Sequence, residues 1–272
     1  MTSEDREQAT AVVNDESGSR SSHAGRTRPT RSKGKKDKKD KKHLPLWQET
    51  ILLLGIALLL AIVIKALFVQ AFYIPSESME PGLVKNDRIL VQKPSYWFSG
   101  QPERGDVVVF KDPGGWLRTG ENAGPGNPVA QLMAKIGLYP QGGHLVKRVI
   151  GVEGDVIECC DKRGRIVVND TALNEDIYLK DDGGKGCNGP MPGCGWKAGP
   201  VPEDHIFVMG DNRGHSADSS VHLCTDRETE CSDTPFISND RVVGKVFVLL
   251  WPTDHFRWVS RPDTFADVPD AS

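Results

Sequence analysis

Hydrophobic and polar positions follow two patterns, which change over near residue 74. Up to that point runs "LPLWQETILLLGIALLLAIVIKALFVQAFYI" (44–74). Between residues 46 and 64 only Gln48, Glu49 and Thr50 are polar, and residues 51–64 carry no polar side chain. Lys65 can snorkel, and the run then continues with Gln70 as its one strongly polar break. A stretch of this length predicts a helix able to span roughly 30 Å of hydrocarbon. Beyond it, apolar residues come in short β-branched runs at 87–93, 105–111, 144–152, 164–169, 205–210 and 241–252, with Gly, Pro, Asn or Asp at or near their ends. That punctuation predicts a mostly β body. "VAQLMAKIGL" (129–138) predicts the one helix of that body, and "VFVLLW" near the end is too short for a second span. Turn-rich stretches fill 112–128 and 181–202, with no internal repeat and no phosphate-binding glycine loop.

Charge adds a division that the net value of −3 hides. Residues 1–42 hold 12 Lys and Arg against 7 Asp and Glu, and the remainder 22 against 30. An acidic body argues against nucleic acid as its partner. The tail has too few apolar residues to offset its ordering entropy and reads as disordered. Its run "KGKKDKKDKKH" stands directly before the apolar segment. By the positive-inside rule that flank stays in the cytoplasm, which places everything after about residue 70 outside. A cleaved signal peptide is the competing reading, with "VQA" (69–71) as a weak cleavage site, but the tail is long and the apolar run exceeds a signal core. The expected organisation is a cytoplasmic tail at 1–43, a transmembrane anchor at 44–72 and an extracytoplasmic body at 73–272, with an insert at about 114–143.

All six cysteines, Cys159, Cys160, Cys187, Cys194, Cys224 and Cys231, fall in the presumed exported part. An even number there suggests disulfides. Cys187/Cys194 and Cys224/Cys231 are spaced to close short loops, whereas a bridge between the adjacent Cys159 and Cys160 would be strained. Zinc is the alternative, but no CxxC pair or HxxxH spacing supports it, and no metal site is expected.

"IPSESMEP" (74–81) puts two hydroxyls, Ser76 and Ser78, where the chain leaves the apolar run. A serine is a poor nucleophile until a base takes its proton. His205, His215 and His222 lie near Asp211 and Asp218 in sequence, yet no spacing singles out one of them. "HLVKRVIGVEGD" offers another base. In a strand, Leu145, Lys147 and Val149 share one face, and Val146, Arg148 and Ile150 the other. Arginine does not deprotonate in proteins, so only Lys147 can serve. Desolvation on an apolar face would pull its pKa down from about 10.4. For a lone lysine the ordinary reading is a strand-edge residue with its stem on the core.

Taken in order, the apolar segment, "IPSESMEP", "RGDVVVFK", "VKRVIGVEGD" and "MGDNRGHSADS" resemble the type I signal peptidases, membrane-bound serine proteases that remove signal peptides from exported proteins. The resemblance runs from about residue 46 to 252. It implies a body of antiparallel sheets with an apolar surface on the lipid bilayer, and catalysis without metal or cofactor. It also implies a nucleophile at Ser78, a lysine base at Lys147 and an oxyanion hole from the Ser76 hydroxyl and the Ser78 N–H. Ser216 would contact the lysine amine, and Arg148 would pair with Asp211. A signal-peptide chain would add as a strand, its small side chains entering pockets lined by Ile74, Pro75, Met79, Leu83, Leu145 and Val146. Three positions depart from the family pattern. Glu153 replaces a proline, Gly82 a threonine, and Ser220 the arginine that ordinarily supports the aspartate matching Asp218. Two rivals remain: a cytosolic Ser/Lys protease of the self-cleaving repressor kind, which the anchor and cysteines oppose, and a non-enzymatic membrane-anchored binding module.

Overall fold

The structure, a computed structural model, describes residues 45–97, 100–117, 127–128, 143–180, 187, 190–223 and 234–271. The chain divides into two units, Met1–Leu46 and Trp47–Ser272, and the fold below is that of the second. The expected tail, the helix at 129–138, most of the insert, and Cys224 and Cys231 lie outside the described residues.

Helix α1 (Leu46–Phe68) starts directly after Pro45, whose missing N–H is harmless at a helix start. Its 23 residues extend about 35 Å. Large apolar side chains from Leu46 to Phe68 are exposed on every side, so the helix has no protein core to face. It is long and apolar enough to cross a membrane. The apolar run does not stay helical to its end, however. From Val69 it becomes strand β1 (Val69–Tyr73), with Gln70 and Phe72 buried and Ala71 and Tyr73 exposed. That alternation with period two, and pairing with β2 (Arg88–Gln92), turn the last part of the expected anchor into a sheet edge.

The other strands are β3 (Val107–Lys111), β4 (His144–Gly151), β5 (Ile157–Glu158), β6 (Val167–Val168), β7 (Thr171–Ala172), β8 (Lys197–Ala198), β9 (His205–Met209), β10 (Ile237–Ser238), β11 (Val242–Trp251) and β12 (Arg257–Trp258). The larger sheet runs β1-β2-β11-β3-β4-β9-β10, with β12 also on β11; the smaller runs β7-β6-β5-β8. Every pairing among the described residues is antiparallel. The strand expected at 164–169 shrinks to β6. The Asp161 carboxylate accepts the backbone N–H groups of Arg163 and Arg165 and the Arg165 guanidinium, which makes a turn of the preceding residues.

The run "VVVF" explains the middle of the large sheet. Val107 and Val109 pack with Phe72, Ile89, Val91 and Val246 on one side, while Val108 and Phe110 pack with Leu145, Val149, Ile206 and Val208 on the other. A strand buried on both faces needs this unbroken apolar sequence. The small sheet shares a core with the large one, in which Ile157, Ile166 and Leu173 meet Ile150, Phe207 and Met209 of β4 and β9. The Cys187 and Cys194 sulfurs are in direct contact, and so, against the expectation for an adjacent pair, are those of Cys159 and Cys160. The Cys187 sulfur lies 3.5 Å from that of Cys160 and 3.9 Å from that of Cys159.

Candidate active site

The turn carrying the two serines begins where β1 ends. Ile74 continues the strand, donating to the Asp87 carbonyl and accepting from the Asn86 N–H. Met79 and Leu83 are almost fully buried and anchor the far end, and the Leu83 N–H closes the turn on the Met79 carbonyl at 2.8 Å. Between these anchors Pro75 and Ser76 are exposed, while Ser78 is buried. The turn is also held from outside. Asn212 donates its backbone N–H to the Ser78 carbonyl at 3.0 Å and its side-chain amide to the Glu77 carbonyl at 2.9 Å. Gly210 must be glycine here, because a Cβ on it would lie 2.3 Å from the Ser216 hydroxyl and 2.5 Å from the Ser78 carbonyl.

Strand β4 brings the two cations. Lys147 stands opposite Val108 and Arg148 opposite Val107, so they leave the strand on different faces. Lys147 is only 4 % exposed, and its Nζ donates to the Ser78 Oγ at 2.7 Å. Ser76 Oγ lies 3.2 Å from the same oxygen. Burial lowers the Lys147 pKa from 10.5 to about 8, against the opposing pull of the Asp218 and Asp211 carboxylates. The desolvation expected from the strand pattern is therefore present.

Arg148 is also buried, and it forms a fork-to-fork pair with Asp211: Nε to Oδ1 at 2.8 Å and Nη2 to Oδ2 at 2.7 Å. Its Nη1 donates to the Gly105 carbonyl at 2.9 Å. The pair ties β4 to the loop after β9, the same loop that supplies Asn212 to the serine turn.

Asp218 is buried without an ion pair among the described residues. Its carboxylate accepts four hydrogen bonds instead: Ser216 Oγ at 2.5 Å and Gly210 N–H at 2.9 Å on one oxygen, Ser220 Oγ at 2.7 Å and Ser220 N–H at 3.1 Å on the other. Ser220, standing where the family pattern has an arginine, thus supports the aspartate by its hydroxyl and backbone. The Ser216 hydroxyl donates to Asp218, and no hydrogen bond joins it to Lys147 among the described residues. Its link to the amine runs through the field of Asp218.

Ile74, Met79 and Leu83 share one buried cluster with Val146 packed against it, beside the serine turn. Leu145 packs in the other buried cluster, with Val149 and Phe110. None of the three candidate histidines bonds to Ser78 among the described residues. His205 meets the Glu203 carbonyl, His215 the Asn212 side chain, and His222 stacks on Trp116. The sequence pattern points to no role for Asn212, Gly210, Glu175, Tyr178 or Arg213. Three of these sit inside the quoted "MGDNRGHSADS". Glu175 and Tyr178 sit in "LNEDIYLK", which shows neither strand nor helix periodicity.

Comparison with known proteins finds similarity along most of the chain. A family profile described as "Signal peptidase, peptidase S26" matches residues 47–251. Signal peptidase I of Mycobacterium tuberculosis is 37% identical over 227 residues, covering 78% of this chain and 74% of that protein. The probable signal peptidase I of Mycobacterium leprae is 36% identical over 236 residues, covering 80% and 79%. Signal peptidase I of Leptolyngbya laminosa is 29% identical over 217 residues, covering 80% and 86%.

Proposed function

Because the chain belongs to the signal peptidase family, peptidase S26, we propose that it is a membrane-anchored serine endopeptidase that removes N-terminal signal peptides from exported proteins with a Ser78–Lys147 dyad. The observation that carries the dyad is the 2.7 Å approach of a buried, pKa-lowered amine to a buried serine hydroxyl. In its neutral form Lys147 accepts the Ser78 proton as Oγ attacks the scissile carbonyl, and the ammonium then returns it to the leaving amine. The Ser78 N–H has no hydrogen-bond partner among the described residues. Together with the Ser76 hydroxyl it is the donor pair for the oxyanion. Arg148 and Asp211 position Lys147, and Asp218 with Ser216 and Ser220 shapes the floor beneath the amine. The substrate adds as an extended strand beside the exposed Pro75–Ser76 stretch, its small side chains directed at the surface over Ile74, Met79, Leu83 and Val146. The cysteine contacts support two disulfides, Cys187–Cys194 and Cys159–Cys160, as expected of an extracytoplasmic body.

The test uses the full chain in detergent and a peptide with an Ala-x-Ala site. Ser78→Ala, Lys147→Met and Lys147→Arg should each lose nearly all turnover while remaining folded, because a dyad acts as a unit and arginine supplies no neutral base. Substantial cleavage by Lys147→Arg would remove the lysine-base assignment.

A further inference from the structure

The Arg148 guanidinium has a neighbour besides Asp211 and the Gly105 carbonyl. Its central carbon lies 4.5 Å from the centroid of the Tyr178 ring. Two bonds to Asp211 fix the edge of the guanidinium plane, and the ring covers its face, which is how a desolvated cation and an aromatic quadrupole attract. The ring is itself held. Its hydroxyl donates to Glu175 Oε1 at 2.8 Å, the oxygen that also takes Arg213 Nη2 at 2.6 Å, and the ring stacks on Phe265 with centroids 6.0 Å apart. Glu175 Oε2 accepts the Ile166 N–H at 3.1 Å, and Arg213 Nε donates to the Gly210 carbonyl at 3.0 Å. Tyr178, Glu175 and Arg213 are all buried.

The residues that follow reach the site directly. Leu179 bridges to Pro81, the Lys180 N–H donates to the Asp211 carbonyl at 3.1 Å, and Lys180 Nζ pairs with Glu80 at 2.6 Å. Tyr178 belongs to the core that the small sheet shares with β4 and β9, so this segment links the small sheet's packing to the large-sheet site. Without the ring, the guanidinium would keep its bonds to Asp211 and the Gly105 carbonyl but lose the contact that covers its face. The adjacent residue on β4 is the one whose amine must stay within reach of Ser78.

We propose that Tyr178 is a positioning residue: its ring face, backed by Phe265, seats the Arg148 guanidinium and so holds Lys147 against Ser78. The proposal rests on the Ser78–Lys147 reading above and assigns a catalytic contribution to the small sheet. The experiment compares two residues of one shape at position 178 of the full chain in detergent: Tyr178→Phe, and Tyr178→pentafluorophenylalanine, whose ring quadrupole is reversed. With the Ala-x-Ala peptide, Tyr178→Phe should stay within about threefold of the wild type in kcat, because the ring face is kept. The fluorinated variant should lose about tenfold in kcat with KM little changed. The rising limb of its kcat/KM–pH profile should also shift to higher pH, as a loosened amine regains water. A ring that merely filled space would give the two variants the same kcat and the same limb, and that result overturns the proposal. Equal or better turnover by the fluorinated variant overturns it as well. The dyad reading is tested separately: a cleaving Ser78→Ala protein sinks the dyad, whereas inactive Ser78→Ala with matched aromatic variants sinks only the role of Tyr178.

Discussion

Lys147 gets its chemistry from where it is buried, and this has two measurable consequences with opposite appeal to the protein. With a pKa of about 8, roughly a tenth of the amine is neutral at pH 7, so kcat/KM should climb nearly tenfold per pH unit below that value and level above it. A histidine base would already have levelled near neutrality. The same shift lowers stability. The folded pKa is depressed below the ordinary 10.5, so between about pH 8 and 10.5 the unfolded chain binds more protons than the folded one. Stability therefore rises with pH across that window, and below it the full cost of burying the ammonium is present. That cost is on the order of 3 kcal/mol. Lys147→Met should thus raise the melting temperature in detergent at pH 7 while abolishing activity, and the gain should fade by about pH 10.5. A destabilised Lys147→Met protein at pH 7 would mean that the amine is not held at a desolvation cost. Lys147 could be read from the sequence because alternation in "HLVKRVIG" puts it on an apolar face. The role of Ser220 could not: a serine replacing an arginine looks like lost support until its hydroxyl and N–H are seen on the Asp218 carboxylate.

At the scale of elements, β4 and the loop after β9 act as one part. The Arg148–Asp211 pair joins them with two charge-assisted bonds at 2.7 and 2.8 Å in a buried setting. Removing one partner strands a buried charge, which costs about 3–5 kcal/mol, whereas removing both leaves neither charge uncompensated. Arg148→Ala and Asp211→Ala should each lose stability and activity, and the double mutant should lose less than the sum. Strict additivity in a thermal-unfolding cycle would show that the pair is not coupled. The Asp218 cluster gives a smaller effect. Ser220→Ala removes one of four donors from a buried carboxylate and should cost about 1–3 kcal/mol, read as a lower melting temperature. The long strands were visible in the sequence because each is a β-branched run bounded by turn residues. Strands β5, β7, β8, β10 and β12 were not, since two residues carry no period, and β6 is only part of the run expected at 164–169. Strand β1 was hidden inside an apolar run that a membrane helix explains equally well, and only its partner β2 and the buried Gln70 distinguish it. Glu175 and Tyr178 escaped for a related reason: their partners lie 3 to 38 residues away across turns that no local pattern reports.

For the molecule as a whole, location ties the anchor, the charge division and the cysteines together. Helix α1 presents apolar side chains on every face, and family membership agrees with association with a membrane. Trp251, Phe256 and Trp258, on and around β11 and β12, add exposed aromatic surface of the kind that settles at a lipid interface. The segment before α1 carries 12 Lys and Arg against 7 Asp and Glu, which favours retention of that end in the cytoplasm. On the proposed function the body would lie on the far side, where signal peptides emerge and where an oxidising compartment can join Cys187 to Cys194. In spheroplasts of cells making the full chain, external protease should digest a C-terminal epitope and leave an N-terminal one intact until the membrane is broken. Peptide mapping without reductant, on protein alkylated before lysis, should recover Cys187 and Cys194 in one linked pair; a loop of this size contributes about 2–3 kcal/mol in the chain-entropy model. The two readouts fail together if the orientation is reversed: the C-terminal epitope would survive external protease and the cysteines would be alkylated as free thiols. An exposed C-terminus with free thiols would keep the orientation and remove only the disulfide.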